Sequence, residues 1–387
     1  MILLANRLQQ VKEYYFSTKL KEVQQLIASG KSVINLGIGS PDLPPSPAII
    51  NALNQAMLEP KAHEYQSYQG LPKLREAMKQ FYVNHYGISQ NSSISFLPLM
   101  GSKEGIMHVS MAYLNPEDEV LIPNPGYPTY TSVTNLVQAK PVFYDLLEEN
   151  QWEPNLEQLE QLNLSKVKLM WINYPHMPTG AKGSLELLKK LVSFAKKHQI
   201  ILVNDNPYSF ILNQNPISIF NIPGAEEVCL ELNSLSKTFN MAGWRVGMIA
   251  GREHLINAVL TVKSNMDSGM FYGVQKGAIE ALNLGKEWMQ QINEVYENRR
   301  KLLWQLADLL GCSYQKDTAG LFVWAKLPER VDAEKIVDEI LYNYYIFITP
   351  GSVFGSNGKG YLRFSVCASE KNIAEAIHRI KSKKISQ

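Results

Sequence analysis

The stretch Ser234-Leu235-Ser236-Lys237-Thr238-Phe239-Asn240-Met241-Ala242-Gly243-Trp244-Arg245-Val246-Gly247 decides the reading of this 387-residue chain. It sets one lysine between hydroxyl residues and an arginine eight positions later, between glycines. A lysine that forms a Schiff base with an aldehyde needs a site that restrains its amine and tunes its pKa. An arginine close by, where glycines let the backbone approach, suits a bidentate grip on a phosphate. The pair points to a ligand that carries both an aldehyde and a phosphate.

Composition sets the outer limits. A chain of 387 residues exceeds what one hydrophobic core usually serves, so a large domain plus a smaller one is expected. Apolar content of 45% and charged content of 19% describe an ordinary soluble globular protein. A net charge of +2 gives no support to nucleic-acid or membrane binding. Short basic clusters such as Lys189-Lys190 and Lys196-Lys197 read as solvated helix faces. Cys229, Cys312 and Cys367 lie far apart, which argues against a disulfide scaffold or a zinc site and fits a reducing compartment. The apolar opening Met1 to Ala5 is interrupted at once by Asn6 and Arg7, too short for a signal or a membrane span. A cytoplasmic protein without a bound metal is the expectation.

Along the chain, helical spacing runs from about Asn6 to Ser29, and a short extended piece, Val33 to Leu36, leads into Gly37-Ile38-Gly39-Ser40-Pro41-Asp42. The middle alternates β-branched runs with amphipathic helices. Strands are expected at Ser93 to Leu97, Val120 to Ile122, Pro141 to Tyr144, Val167 to Asn173, Ile200 to Asn204, Val228 to Leu232 and Val246 to Ala250, with a helix at Leu185 to His198. Such alternation predicts an α/β fold with a mostly parallel sheet covered by helices on both faces. A long helical pattern from about Leu282 to Leu310 then leads into a smaller α+β unit. There, strands are expected at Leu321 to Lys326, Ile346 to Ile348 and Tyr361 to Val366, and helices at Glu334 to Tyr342 and from Glu370 to about Ile380.

The remaining chemistry can be sought outward from Lys237. Pyridoxal phosphate carries an aldehyde, a phosphate and a pyridine ring that acts as an electron sink only while its nitrogen holds a proton, which calls for a buried carboxylate. Asp205 follows the apolar run Ile200-Ile201-Leu202-Val203-Asn204, at the carboxyl end where open α/β sheets place ligands. Tyr208 comes one turn later. Gly101-Ser102-Lys103-Glu104-Gly105 lies between a strand and a helix, where backbone N–H groups cradle a phosphate. Pro123-Asn124-Pro125-Gly126-Tyr127-Pro128-Thr129-Tyr130 is a rigid loop after a strand. Arg363, flanked by apolar residues in Tyr361-Leu362-Arg363-Phe364-Ser365, is costly to bury without an anionic partner.

These elements, in this order, resemble the class I/II aminotransferases, pyridoxal-phosphate enzymes of fold type I, and the likeness runs from Gly39 to Arg363. It implies a large cofactor-binding domain at 46–285, a small α+β domain at 286–387 and an N-terminal segment, 1–45, packed with the small domain. Lys237 carries the Schiff base and moves the proton. Ser102, Lys103, Ser234 and Arg245 hold the phosphate, Asp205 pairs with the pyridinium, Tyr208 hydrogen-bonds the ring oxygen and Tyr127 stacks on the ring. Arg363 and the backbone of Gly39 hold the substrate carboxylate. Tyr65, with Tyr68 as the competing assignment, reaches across a dimer interface to the partner's phosphate, which implies a homodimer with shared active sites. The activity implied is ping-pong transamination between an L-amino acid and a 2-keto acid. Lys263 to Tyr272 is more similar to the subgroup with diaminopimelate, alanine and methionine aminotransferases. An apolar or amphipathic amino acid is the expected substrate, with Tyr15 and Phe16 assigned either to its pocket or to core packing. Elimination chemistry, as in a C–S lyase, is the alternative on the same scaffold, and a cofactor-binding sensor is the third reading.

One position departs from the family. In Asn173-Tyr174-Pro175-His176-Met177-Pro178-Thr179-Gly180, Met177 replaces an asparagine that donates to the cofactor's ring oxygen. A thioether cannot donate, so Tyr208 is left as the main donor unless His176 or a water substitutes. Donors to that oxygen weaken its internal bond to the Schiff-base nitrogen and so ease loss of the nitrogen's proton. Met177→Asn is therefore expected to lower the pH at which the bound cofactor's absorbance titrates. An unchanged or raised midpoint would sink this account. A cis peptide bond is expected before Pro178.

Overall fold

The computed structural model describes residues 3–10 and 15–382. Seven strands form the main sheet, in the order Ile94–Leu99, Gly247–Arg252, Cys229–Ser234, Ile201–Asp205, Val167–Ile172, Glu119–Asn124, Lys140–Asp145. All run parallel except Gly247–Arg252, which is antiparallel to both neighbours. Each of the seven expected strands is present, displaced by at most two residues at either end. The central strands are buried along both faces, including the polar residues of Cys229–Ser234, as strands under helices on either side must be.

Helix Leu185–His198 falls where its pattern placed it, capped by the Ser184 hydroxyl, which accepts from Leu187 N (3.0 Å), and ended by a left-handed Gln199. The pattern from about Leu282 is divided in the structure: one helix ends at Leu282 and the next, Lys286–Leu309, begins after Gly285. The helical pattern near the start becomes a 3-10 turn at Asn6–Gln10 and a helix at Tyr15–Ala28, with residues 11–14 outside the described part.

A second, antiparallel sheet has the order Thr349–Pro350, Tyr361–Ser365, Phe322–Lys326, Ser313–Tyr314. Ile34–Asn35 pairs in parallel with Ile346–Phe347, and Ser365 N donates to Leu36 O (2.7 Å). These bonds lay the segment around Gly37 against the strand that carries Arg363.

The direction of the strands positions the site. Leu99, Asn124, Ile172, Asp205 and Ser234 are the final residues of five strands that run the same way, and Gly247 begins the strand that runs back. One edge of the sheet therefore presents the loops from Gly101, Asn124, Asn173, Asp205 and Ser234 together, as open α/β sheets do with their ligand sites.

Candidate active site

A cavity of about 520 Å³ opens at that edge, lined by Lys237, Asp205, Ser102, Arg245, Arg363 and Gly39 among others. Tyr127, Tyr208, Ser234 and Lys103 line it too. Of the residues singled out in the sequence for cofactor or substrate, Tyr15 lies outside it, packed against the core, and so does Tyr65, 91% exposed on the surface of the single chain. Tyr68, the competing assignment, also lies outside and is exposed.

Lys237 sits on the one-turn helix Leu235–Thr238, whose start is capped by the Ser234 hydroxyl. Its Nζ donates to Gly39 O (2.6 Å). Burial holds this amine below the usual lysine range, and the cations of Arg363 and Arg245 push the same way against the Cys367 thiol. A lysine so placed gives up its proton more readily, which is what a nucleophilic amine needs.

Asp205 ends its strand fully inside the protein. Tyr130 donates its hydroxyl to Oδ2 (2.8 Å), while buried Oδ1 has no hydrogen-bond partner. Burial raises this carboxyl from 3.8 to about 6 despite the bond from Tyr130. Asn173 donates its side-chain amide to the Asp205 carbonyl, and Trp171 stacks on Tyr130 at 4.9 Å, so the carboxylate has a fixed seat. A buried acceptor left vacant beside a cavity fits a protonated ring nitrogen.

At the other end, helix Ser102–Tyr113 begins after Gly101, with no side chain capping its first amides. Gly101 has φ +91, and a Cβ there would collide with the Arg245 guanidinium, which lies directly over the turn. A Cβ on Gly247 would meet Ser102 N at 2.6 Å. The two glycines thus let the arginine and the helix N-terminus converge, with the exposed Lys103 beside them. Partial desolvation and then Arg245 lower the Lys103 amine. Helix amides and a guanidinium facing one space fit a phosphate, so the residues present match both ends of pyridoxal phosphate.

Arg363 is buried at 4% exposure on its strand. Its Nη2 donates to Gly37 O (2.6 Å), and Nη1 lies 3.4 Å from Met177 Sδ. The guanidinium packs over Phe322 (4.0 Å), Phe354 (4.5 Å) and Phe16 (5.3 Å). Asp42, in the loop after Gly39, takes both terminal nitrogens of Arg299 (2.6 and 3.1 Å), which anchors that loop to the helix Lys286–Leu309.

Met177 lines the cavity and follows the expected pattern, with its peptide bond to Pro178 cis. His176 does not line the cavity: Nδ1 bonds Thr179 Oγ1 (2.8 Å), the ring is buried, and burial pushes it down to about 3. It does not stand in for the missing asparagine. Phe16 does face the cavity, with Ser17 and Leu20 of the same helix. Tyr130, Asn173, Phe322 and Phe354 are site residues that the sequence reading passed over. Tyr130 had a usable signal, since it lies three residues from Tyr127 at the start of a helix and so shares its face.

A family profile described as Aminotransferase class I and II matches residues 31–380. The LL-diaminopimelate aminotransferase of Aquifex aeolicus is 37% identical over 387 residues, all of both chains. That of Halothermothrix orenii is 38% identical over 98% of each chain. Among solved structures, apo-BacF from Bacillus subtilis superposes with TM-score 0.93 at 35% identity, covering 99% of this chain and 98% of that one. A mutant of Thermus thermophilus aspartate aminotransferase gives 0.90 at 25%, over 99% of this chain and 100% of that one. The profile match and the full-length relatives, joined to a cavity that fits the cofactor at both ends, establish that this chain belongs to the class I and II aminotransferases, pyridoxal-phosphate-dependent transaminases.

Proposed function

We propose that the cavity transfers the amino group of an L-amino acid with an apolar side chain, and that Lys237 is its catalytic residue. The observation that carries the assignment is the vacant buried Asp205 Oδ1 in one cavity with the Lys237 amine and the Arg363 guanidinium. Pyridoxal phosphate, when bound, supplies an aldehyde and an electron-accepting ring. Asp205 keeps a proton on the ring nitrogen. Ser102, the Lys103 amide, Ser234 and Arg245 hold the phosphate, Tyr127 covers the ring and Tyr208 donates to its oxygen. Arg363 and the Gly39 backbone orient the substrate carboxylate. With the carboxylate so held, Lys237 would take the α-proton and deliver it to the carbon that was the cofactor's aldehyde, and water would then release the first 2-keto acid. A 2-keto acid then reverses the sequence.

The curated relatives are named for LL-diaminopimelate, whose far end bears an ammonium and a carboxylate. The Arg363 guanidinium packs on Phe16, Phe322 and Phe354, and Leu20, Ile38 and Ser17 line the same cavity. Among the described residues the one carboxylate lining the cavity is Asp205, at the cofactor end. A distal ammonium and carboxylate enclosed by that apolar lining would both lose their hydration with no charged side chain of the lining to receive them, at a cost of several kcal/mol. Comparing kcat/KM for phenylalanine, leucine, methionine and LL-diaminopimelate decides the matter. The apolar donors are expected to lead by about tenfold or more, since each 1.4 kcal/mol is a factor of ten. A preference for diaminopimelate would reject the apolar assignment and leave the transaminase chemistry intact.

The exposure of Tyr65 supports a homodimer in which this side chain meets the partner's phosphate. The pairing of Ile34–Asn35 with Ile346–Phe347 supports grouping residues 1–45 with a small domain at 286–387, apart from a large domain at 46–285. Three buried, unbridged cysteines suit a cytoplasmic location, and no helix of the described residues is long and apolar enough to cross a membrane.

A further inference from the structure

Beneath the phosphate-binding turn lies a largely buried charged cluster that the transamination chemistry does not use. Glu104, in the first turn of helix Ser102–Tyr113, accepts the Met100 amide on Oε2 (2.7 Å), one residue before Gly101. Its Oε1 lies 3.3 Å from Nε2 of His108, whose side chain is 2% exposed. Asp267 completes the group, and the three ligand-type atoms lie within 4.8 Å of one another. The positive charge such a set calls for comes from Lys263. Its side chain is 2% exposed, and Nζ sits 2.8 Å from Asp267 Oδ2 and 3.0 Å from the Tyr68 carbonyl. Asp267 also accepts the amide of Gly269 (2.8 Å), and a Cβ on Gly269, at φ +88, would strike the Gln66 carbonyl.

We propose that Lys263 is a positioning residue, a tethered cation that joins the phosphate-binding turn to the segment bearing Tyr65 and Tyr68. Its ammonium stands between two separate needs. It pairs with Asp267, whose carboxylate lies close to that of the partly buried Glu104, and it holds the Tyr68 carbonyl from the segment that faces outward. Without it, Glu104 and Asp267 repel each other across the His108 ring in a low-dielectric setting. Glu104 is then drawn off the Met100 amide, and the turn at Gly101 loses its shape. The proposal rests on reading that turn as the phosphate site.

The test compares binding of pyridoxal phosphate with that of pyridoxal, which lacks the phosphate, to the cofactor-free protein. In the wild type the phosphate form binds at least a hundredfold more tightly if the turn holds the phosphate. Lys263→Met is expected to weaken pyridoxal phosphate about tenfold or more and to leave pyridoxal unchanged. Lys263→Met/Asp267→Asn removes the repulsion and is expected to bring the affinity back to within about threefold of wild type, and it tests the proposal even where the single variant does not fold. Equal loss for both ligands would show a general structural effect and overturn the proposal. So would a single variant that binds as the wild type does, or a double variant still weakened tenfold. Equal wild-type affinity for the two ligands would instead reject the phosphate site itself, and the proposal with it.

Discussion

Lys237→Ala is expected to lower transamination by roughly 10⁴-fold or more, the combined loss of a nucleophile and of a positioned acid-base group. The protein should fold and still take up the cofactor. Lys237 makes one side-chain hydrogen bond, to Gly39 O, and removing a buried amine relieves desolvation. The phosphate turn, Arg245 and Asp205 are untouched, so they retain the ligand without a covalent bond. Two measurements check this: the rate with the best donor, and borohydride treatment followed by mass analysis, which should fix cofactor to the wild type and not to the variant. A variant that keeps a tenth of the activity would move the proton transfer to another group.

Asp205→Asn is expected to separate stability from function. In the cofactor-free protein the folded state holds the Asp205 proton at about 6 against 3.8 in the open chain. A raised carboxyl binds its proton more tightly when folded, so its favourable contribution is complete below 3.8 and is lost as pH rises through 6. Above that, the ionised group weighs against the fold by about 3 kcal/mol. Asparagine has no charge to bury. The cofactor-free variant should therefore resist denaturation better than wild type at pH 8, with the difference shrinking as pH falls through 6 toward 4. Turnover should fall roughly 10²- to 10⁴-fold, because the ring nitrogen loses a buried charge partner worth about 3–5 kcal/mol. Equal stability at pH 8 would mean that Asp205 finds a counter-charge in the free protein.

How far the sequence could be read follows from the range of each interaction. The parallel strands were legible where burial on both faces makes a near-continuous apolar run, as in Val167 to Ile172. Lys237, Asp205 and Arg245 were legible because each sits in a local context that suits one chemical task. Gly101 was legible as part of a turn, but its contact with the Arg245 guanidinium depends on two strands lying side by side, Ile94–Leu99 and Gly247–Arg252. Phe322 and Phe354 look like ordinary core residues until the antiparallel pairing of one and the 3-10 turn Gly351–Phe354 that carries the other set both rings over Arg363. The break at Asn283 to Gly285 was passed over because Asn and one Gly are tolerated in helices when packing compensates. Lys263 and Asp267 are four apart, which reads as a surface helix pair, and only the fold buries them beside Glu104.

The most direct test of the central claim uses wild-type protein loaded with pyridoxal phosphate and an apolar L-amino acid, with no keto acid added. Transamination as described here stops after one half-reaction, so one equivalent of 2-keto acid should appear per site, with the cofactor's absorbance shifting to the pyridoxamine form and no ammonia released. Continued release of ammonia without an acceptor would contradict this account and assign the cavity to elimination chemistry.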